Sequence, residues 1–492
     1  MNAIKKIGFG MLALMVLLVV GVIVLQVLID PNDYKESIRQ RAAEQGIELA
    51  IKGNIHWSFF PALAFTMDDV DAAVPVGDNR PALHIGQLTM TLLMAPLMDR
   101  KIEFRSVEIK DANAQLGKTG SQSQSLNDID LLIEDLNSSG RPFPVSLSLV
   151  YVHDALQVPI QLKTEAAVNL ADKQSVRVVL DPLDITVDKN IINGSIQWQK
   201  GTPDHLAIHL KSDTLLVQHL TLANVQLDAT MDGKKVTLQT LQADAYEGRV
   251  RNNGSIDLSD EKVAQLRLDT EIKGVRLAPL LADWQQKPSR ILAGSLQLDS
   301  RLTAMPLSRA GILKTLSGNL QFSVSGMVID EINIEKRVCE AAAQLDGKSL
   351  SAKQWSEKTE LRDTRGTAQI QNGLMFLSPL AAKLDTLDLN GVGPVNLLDN
   401  TMDLKLDLKA VDDRQAVNAC EIMNPRLAAI SWPLRCRGNF STQSGKELCS
   451  IDQSRLDKLV LQAAEQKLGE KLKEKMGKDG EKLKDALKGL FH

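Results

Sequence analysis

Few residues in this chain have the type and spacing that enzyme chemistry requires. Gly117-Lys118-Thr119 resembles the end of a phosphate-binding loop, but Ala112 stands where the first glycine of that loop belongs. Gly391 and Gly393 resemble a dinucleotide-binding turn, but Asn396 replaces its third glycine. The sequence also has no Gly-x-Ser-x-Gly elbow that would present a nucleophile. We therefore predict a protein that is not an enzyme and that holds no cofactor.

Two histidines are spaced as a zinc pair would be on a helix. His205 and His209 are four residues apart, and that spacing brings two imidazoles together only when the segment is helical. The residues around them alternate between apolar and polar, which indicates a strand. We interpret both histidines as surface residues of a strand and predict no metal site.

All four cysteines lie in the C-terminal third of the chain: Cys339, Cys420, Cys436 and Cys449. An even number of cysteines in an exported region fits two disulfides, because that compartment is oxidising. Zinc is the competing interpretation, but no Cys-x-x-Cys pair supports it. Four cysteines allow three pairings. We favour Cys436–Cys449 with Cys339–Cys420, because a short loop closes easily.

Composition excludes a nucleic-acid partner. The 492 residues carry a net charge of −4, so no basic field is available to attract phosphates. Aromatic residues make up 4% of the chain, too few for base-stacking platforms.

One N-terminal segment is long and apolar enough to span a membrane. Ile7–Ile29 is almost entirely apolar, and a spanning helix needs about 20 such residues. Lys5 and Lys6 precede it, and because basic residues stay on the cytoplasmic side, the remaining chain should be exported. A cleaved signal peptide is the alternative, but its apolar region is shorter and ends in a small-x-small site. We predict a cytoplasmic tail over residues 1–6 and an uncleaved single-pass anchor over residues 7–29.

Apolar and polar residues alternate from Ile47 almost to residue 450. In Leu266–Lys273 and Met402–Lys409, leucines and other apolar residues alternate with charged ones. This period of two indicates strands with one apolar and one polar face. Asp232-Gly233 is one of several tight-turn signals between such runs. We predict a mainly β domain over residues 30–450, an antiparallel sheet of about twenty short strands.

Helical periodicity occurs at few places within this domain. The predicted helices are Tyr34–Gln45, Leu126–Asn137, Leu277–Gln286, Arg309–Leu316 and Asn333–Gln344. The second of them follows a Ser/Gln-rich stretch, Thr119–Ser125, so a loop and a short helix are expected near residues 118–140. Residues 451–492 are predicted to form an amphipathic, Lys-rich helix. That helix either packs on its own protein with a solvated face or binds a membrane surface or a partner.

A long sheet with one apolar face must cover that face. The few predicted helices cannot cover about twenty strands. A second sheet would give a sandwich, which the pattern alone favours. A curved sheet would instead give a trough, whose apolar floor could bind long acyl chains.

Several short motifs follow one another in a recognisable order. They are Asp30-Pro31-Asn32-Asp33-Tyr34, Gly46-Ile47-Glu48-Leu49, the segment 53–61, Asp244-Ala245-Tyr246-Glu247-Gly248, Leu277-Ala278-Pro279-Leu280-Leu281, the segment 316–326, the segment 430–438 and Cys449-Ser450-Ile451-Asp452. In this order they resemble the AsmA family of Gram-negative envelope proteins over most of the chain. Glu247 departs from the family, which often has a second glycine there.

The resemblance implies an inner-membrane-anchored protein whose bulk lies in the periplasm and whose sheet forms a taco-like apolar groove. Such proteins are similar to the eukaryotic bridge-like lipid transfer proteins. The resemblance also implies that phospholipid acyl chains are conducted along the groove between the inner and outer membranes, in support of outer-membrane assembly and lipid homeostasis. It therefore favours the trough over the sandwich. The residues expected to line the groove are Leu266, Leu268, Ile272, Leu296, Leu298, Leu320, Phe322, Val324, Leu404, Leu406 and Leu408.

The expected partners are phospholipid, the inner membrane through the anchor, and an outer-membrane or periplasmic protein at the C-terminal helix. About twenty strands at ~4.8 Å each give a groove of roughly 100 Å. The C-terminal helix would then meet a partner rather than the outer membrane itself. The alternative function is structural or regulatory: contacts that influence the assembly of outer-membrane proteins or lipopolysaccharide without carrying lipid.

Overall fold

A computed structural model describes most of the chain between residues 31 and 462. The described residues are 31–44, 48–60, 62–73, 82–98, 103–119, 122–154, 156–169, 176–259, 264–305, 309–347, 355–411, 422 and 424–462. The predicted anchor, Ile7–Ile29, lies outside them, as does most of the predicted C-terminal helix. Within the described ranges, no helix combines the length and the apolar character needed to cross a membrane.

The described chain is mainly β, as predicted, and its described residues form 23 strands that pair antiparallel. In chain order the strands are β1 Glu48–Ile51, β2 Ile55–Ser58, β3 Ala64–Ala73, β4 Ala82–Leu92, β5 Phe104–Thr119, β6 Gln122–Ile133, β7 Phe143–His153, β8 Leu156–Asn169, β9 Arg177–Val187, β10 Asn190–Gln199, β11 His205–Val217, β12 Leu220–Asp232, β13 Lys235–Ala245, β14 Gly248–Asp257, β15 Gln265–Arg276, β16 Ile291–Ala304, β17 Ser317–Ile329, β18 Thr359–Gln371, β19 Leu374–Lys383, β20 Leu387–Asn396, β21 Thr401–Ala410, β22 Ser431–Asn439 and β23 Cys449–Ile451.

The helices are few and short. They are α1 Lys35–Glu44, α2 Met94–Met98, α3 Leu277–Gln285, α4 Arg309–Thr315, α5 Ile334–Leu345, α6 Pro425–Ala428 and α7 Gly445–Leu448, with a 3-10 turn at Pro31–Tyr34. The described start of the C-terminal segment, 453–462, is also helical. The predicted helices at α1, α3, α4 and α5 are confirmed. Asn333 begins α5 as its N-cap, accepting a hydrogen bond from the backbone N–H of Lys336.

By its internal contacts the chain divides into two compact units. Unit 1 holds the described residues of 1–215 and 230–233, and unit 2 holds those of 216–229 and 234–492. In unit 1, β1 and β2 both pair with β3, and each strand from β3 to β10 pairs with the next, so that the succession ends at β11. In unit 2 the same antiparallel succession runs from β13 to β23.

The predicted helix Leu126–Asn137 and the loop Thr119–Ser125 before it are wrong. β5 continues to Thr119, and β6 runs as a strand from Gln122 to Ile133. Leu126 and Ile129 are three residues apart, as on a helix face, because Asp128 adopts φ 51° and the pairing with β7 shifts between Asn127 and Asp130. This bulge inserts one extra residue and keeps both apolar side chains on one face of the strand.

Candidate functional site

The strand register of unit 2 aligns one apolar or glycine residue from every strand between β13 and β23. This row, here called the central ladder, consists of Ala243, Val250, Ile272, Leu298, Phe322, Gly366, Leu380, Gly391, Leu406, Leu434 and Ile451. Directly opposed residues of neighbouring strands project from the same face of a sheet. The central ladder therefore marks one continuous apolar face, about 48 Å long at roughly 4.8 Å per strand.

A second row runs beside it on the same face, from β13 to β22. This second ladder consists of Leu238, Gly254, Leu268, Leu302, Gly318, Ile370, Met375, Val395, Met402 and Gly438. The two rows stay in step because strand residues four apart point to the same side. On β13 and β19 the spacing is five, and a register shift absorbs the extra residue. The face is thus several residues wide as well as long.

Glycines on this face leave room for the large side chains of their neighbours. A side-chain carbon built on Gly366 would lie 2.7 Å from Cζ of Phe322, and one built on Gly391 would lie 2.5 Å from Cδ2 of Leu406. Phe322 and Leu406 therefore lie flat across the neighbouring strand. Backbone positions without a side chain let an apolar surface stay smooth.

The predicted groove residues all lie on this apolar face. The central ladder contains Ile272, Leu298, Phe322 and Leu406, and the second ladder contains Leu268. The remaining residues occupy same-face positions beside the two ladders: Leu266, Leu296, Leu320, Val324, Leu404 and Leu408. The sheet thus brings together runs far apart in the sequence. Contact of these residues with lipid stays a prediction.

The opposite face of the same strands is polar. Arg301 Nε lies 3.1 Å from Asp269 Oδ1, and Arg435 bridges both carboxylate oxygens of Asp403 at 2.7 Å. A cleft of about 850 Å³ lies over this face and is lined mainly by charged and amide side chains. Because both charge signs are interspersed there, we interpret this face as the solvated one.

At its C-terminal end the apolar face is covered by helices. Val338 of α5 and Leu456 of the segment 453–462 join Leu408, Trp432 and Leu434 in one buried cluster. Leu408, Trp432 and Leu434 have no exposed surface. The sequence-based predictions did not include this cover. The amphipathic pattern of α5 was the signal that could have indicated it.

Polar contacts tie α5 to the sheet. Glu335 is buried, and its carboxylate accepts hydrogen bonds from the backbone N–H of Thr386 at 2.8 Å and from the Thr386 hydroxyl at 3.2 Å. Burial raises the pKa of Glu335. Thr359 adds a further link, because its hydroxyl donates to the Ile332 carbonyl at 2.6 Å and accepts from the Ile334 N–H at 3.1 Å. The cover is therefore fixed at its N-terminal end.

Disulfides reinforce the same region. One joins Cys436 of β22 to Cys449 of β23, a pair that the sequence favours. Cys339 of α5 is also disulfide-bonded, and Cys420, its predicted partner, lies outside the described residues.

The middle of the apolar face is more open. Leu266, Leu268, Ile272, Leu298 and Phe322 each keep part of their surface accessible to solvent and do not belong to the buried cluster under α5. The face thus has a covered end at β19–β23 and a partly exposed stretch at β14–β17.

The residues tested for enzyme chemistry are placed as ordinary strand residues. His205 Nδ1 lies 2.6 Å from Asp232 Oδ1, and His209 is exposed on the same strand, β11. In unit 1, Asp69, Asp71 and His84 lie close enough together to hold a cation. Lys52 Nζ, however, already lies 2.5 Å from Asp71 Oδ2. Lys52 also lowers the pKa of Asp71. This group is an exposed ion-pair network.

Two N-terminal motifs contact each other in unit 1. The amide side chain of Asn32 accepts from the Ile55 N–H at 2.9 Å and donates to the Ile55 carbonyl at 3.3 Å, as a neighbouring strand would. Lys35 Nζ donates to the Gly53 carbonyl at 2.5 Å. The segment that follows the predicted anchor is thereby fixed to the first strands.

Comparisons with known proteins agree with this organisation. The family model described as "AsmA family" matches residues 1–204 and 186–380. Protein AsmA of Escherichia coli (strain K12) is 26% identical over 107 residues, which is 22% of this chain and 17% of that protein. The match thus spans less than a fifth of the relative's length. No solved structure matches the chain. Since the family model covers well over half of the sequence, the chain belongs to the AsmA family.

Proposed function

We propose that the apolar face of unit 2 binds phospholipid acyl chains and that the protein conducts phospholipid along this face between the inner and outer membranes. The observation that carries the proposal is the central ladder, in which no strand from β13 to β23 contributes a polar residue. A solvated apolar face of this extent is costly at about 25 cal/mol per Å². Acyl chains would cover it without requiring specific polar contacts.

The dimensions of the exposed stretch suit an acyl chain. From β14 to β17 the sheet extends about 14 Å at roughly 4.8 Å per strand. Half of a hydrocarbon core, the depth of one leaflet, is about 15 Å. A lipid lying across these strands could bury its tails on Leu268, Leu298 and Phe322 and leave its headgroup in water. Such transfer makes and breaks no covalent bond, so it requires no catalytic group.

The proposed location follows from the anchor and the disulfides. Ile7–Ile29 would hold the protein in the inner membrane, and the Cys436–Cys449 disulfide fits an oxidising periplasm. The contacts between Asn32 and Ile55 would keep the first strands close to the end of the anchor. A periplasmic or outer-membrane protein at the C-terminal helix remains the proposed distal partner.

Lipid analysis of the purified region 31–492 tests the proposal. We expect phospholipid to co-purify, at a level that falls strongly in Leu268→Glu and is unchanged in the neighbouring Arg267→Glu. Leu268 belongs to the second ladder on the apolar face, whereas Arg267 lies on the opposite face. A folded, lipid-free protein whose loss still disturbs the envelope would favour the structural or regulatory role instead.

A further inference from the structure

The helix α3 is apolar, and its leucines are half-buried while its tryptophan is exposed. Its sequence is Leu277-Ala278-Pro279-Leu280-Leu281-Ala282-Asp283-Trp284-Gln285, and none of its residues is buried. Leu277, Leu280, Leu281 and Trp284 share one helical stripe by their spacing. The Trp284 side chain is 65% exposed. An exposed tryptophan on an apolar stripe is typical of a surface that meets another apolar phase.

This helix begins at the edge of the apolar face. It joins β15 to β16, and a side-chain carbon built on Gly294 would lie 3.5 Å from Cδ1 of Leu277 and 2.9 Å from Cγ1 of Val324. Leu277 therefore packs beside Val324, which belongs to the apolar face. The stripe thus begins beside that face at Leu277 and ends at the exposed Trp284.

The turn between β13 and β14 holds α3 in place. Tyr246 Oη donates a 2.7 Å hydrogen bond to Asp283 Oδ2, and Arg276 Nη1 lies 3.0 Å from Glu247 Oε1. Tyr246 and Glu247 both have positive φ, 49° and 67°, which makes the tight turn that points them at the helix. The one carboxylate of α3 is thus bound by the protein, and the apolar stripe is left without a charge of its own.

The size and charge of this surface favour a bilayer over a protein. A nine-residue helix is about 13.5 Å long, which offers far less than the ~800 Å² per partner that a stable protein interface buries. The flanking pairs Arg276–Glu247 and Arg290–Glu331 neutralise each other, so a strongly charged partner would gain little. Trp residues, by contrast, favour the membrane–water interface.

We propose that α3 docks on the surface of a phospholipid bilayer with Trp284 inserted at the interface. Docking would bring the membrane against the edge of the apolar face at its partly exposed stretch, β14–β17, and not at the end that α5 covers. The lipid-carrying purpose of this contact rests on the function proposed above, but bilayer docking itself can be measured separately.

A spin label at position 284 tests the docking. The full chain is reconstituted in nanodiscs, labelled as Trp284→Cys, and mixed with vesicles of phosphatidylethanolamine and phosphatidylglycerol or of phosphatidylcholine alone. No described cysteine is free to compete for the label. Phe376→Cys is the matched control, because Phe376 is 49% exposed on the polar face.

At position 284 we expect collisions with oxygen to increase and collisions with a water-soluble nickel chelate to decrease, with no change at position 376. Affinity for the two vesicle types should differ by about fivefold or less. Arg276 and Arg290 are paired with carboxylates, and Lys287 is not part of either pair. Equal nickel access at both positions would overturn the proposal, and so would a change that depends on protein concentration when no vesicles are added. Lipid that still co-purifies with an undocked protein would overturn docking alone, whereas docking without co-purified lipid would overturn the proposed function alone.

Discussion

Replacing Leu298 by Glu should weaken lipid binding by roughly a hundredfold. Leu298 lies in the central ladder between Ile272 and Phe322 and is partly exposed. A charged side chain among acyl chains costs about 2.5–3.5 kcal/mol, and each 1.4 kcal/mol is tenfold in affinity. The same carboxylate can reach water when no lipid is bound, so the substitution should cost the fold little.

Binding of a fluorescent phospholipid to the purified region 31–492 measures this effect. The matched control is Gln297→Glu, which places the same charge one residue away on the opposite, exposed face. We expect the control to bind as the wild type does, and urea unfolding should confirm that both variants are folded. Equal affinities for Leu298→Glu and Gln297→Glu would refute the assignment of the apolar face as the binding surface.

Three further perturbations test the covered end of the apolar face and the Tyr246–Asp283 hydrogen bond that holds α3. Leu434→Ala should lower the free energy of unfolding by about 2–5 kcal/mol, because Leu434 is fully buried. Removing the Cys436–Cys449 disulfide, which closes a sequence separation of 13 residues, should cost about 3 kcal/mol. Burial and a hydrogen bond raise the pKa of Tyr246 to about 12. Its contribution to the free energy of unfolding should therefore be complete below about pH 10 and be lost as the pH rises through 12. The Tyr246→Phe variant should not show this loss of stability at high pH.

Each of these predictions is checked by urea unfolding with its own control. Leu298→Ala should cost less than Leu434→Ala, because its side chain is already partly exposed. Wild-type protein whose disulfides have been reduced should be no more stable to urea than the variant without Cys436 and Cys449. The Tyr151→Phe control should lose stability between pH 10 and 12 as the wild type does. A Tyr246→Phe protein whose stability follows that of the wild type across that range would contradict a stabilising role of the Tyr246–Asp283 hydrogen bond.

The alternating pattern predicted the sheet because each strand carries its own apolar and polar faces. That pattern alone predicts strands over Leu266–Lys273 and Met402–Lys409, which lie in β15 and β21, respectively. The pattern failed at Leu126–Asn137, where one residue at positive φ changes the spacing from two to three. A bulge and a helical turn give the same apolar spacing over so short a stretch.

Strand register and cover could not be predicted from the sequence. Leu298 faces Phe322 only because of how β16 and β17 pair, and a shift of one residue would place its side chain on the opposite face. Leu406 and Leu298 have the same local pattern, yet Leu406 is 5% exposed near α5 and Leu298 is more open. The difference arises from a helix distant in the sequence, which local periodicity does not report.

Photocrosslinking along β17 in cells tests the central claim most directly. A photoreactive residue is placed in turn at Leu320, Gln321, Phe322 and Ser323, and adducts are identified by mass spectrometry. Leu320 and Phe322 lie on the apolar face, and Gln321 and Ser323 lie on the opposite one. We predict phospholipid adducts at positions 320 and 322 and none at 321 and 323. Adducts without this alternation, or none at any of the four positions, would contradict lipid conduction along the apolar face.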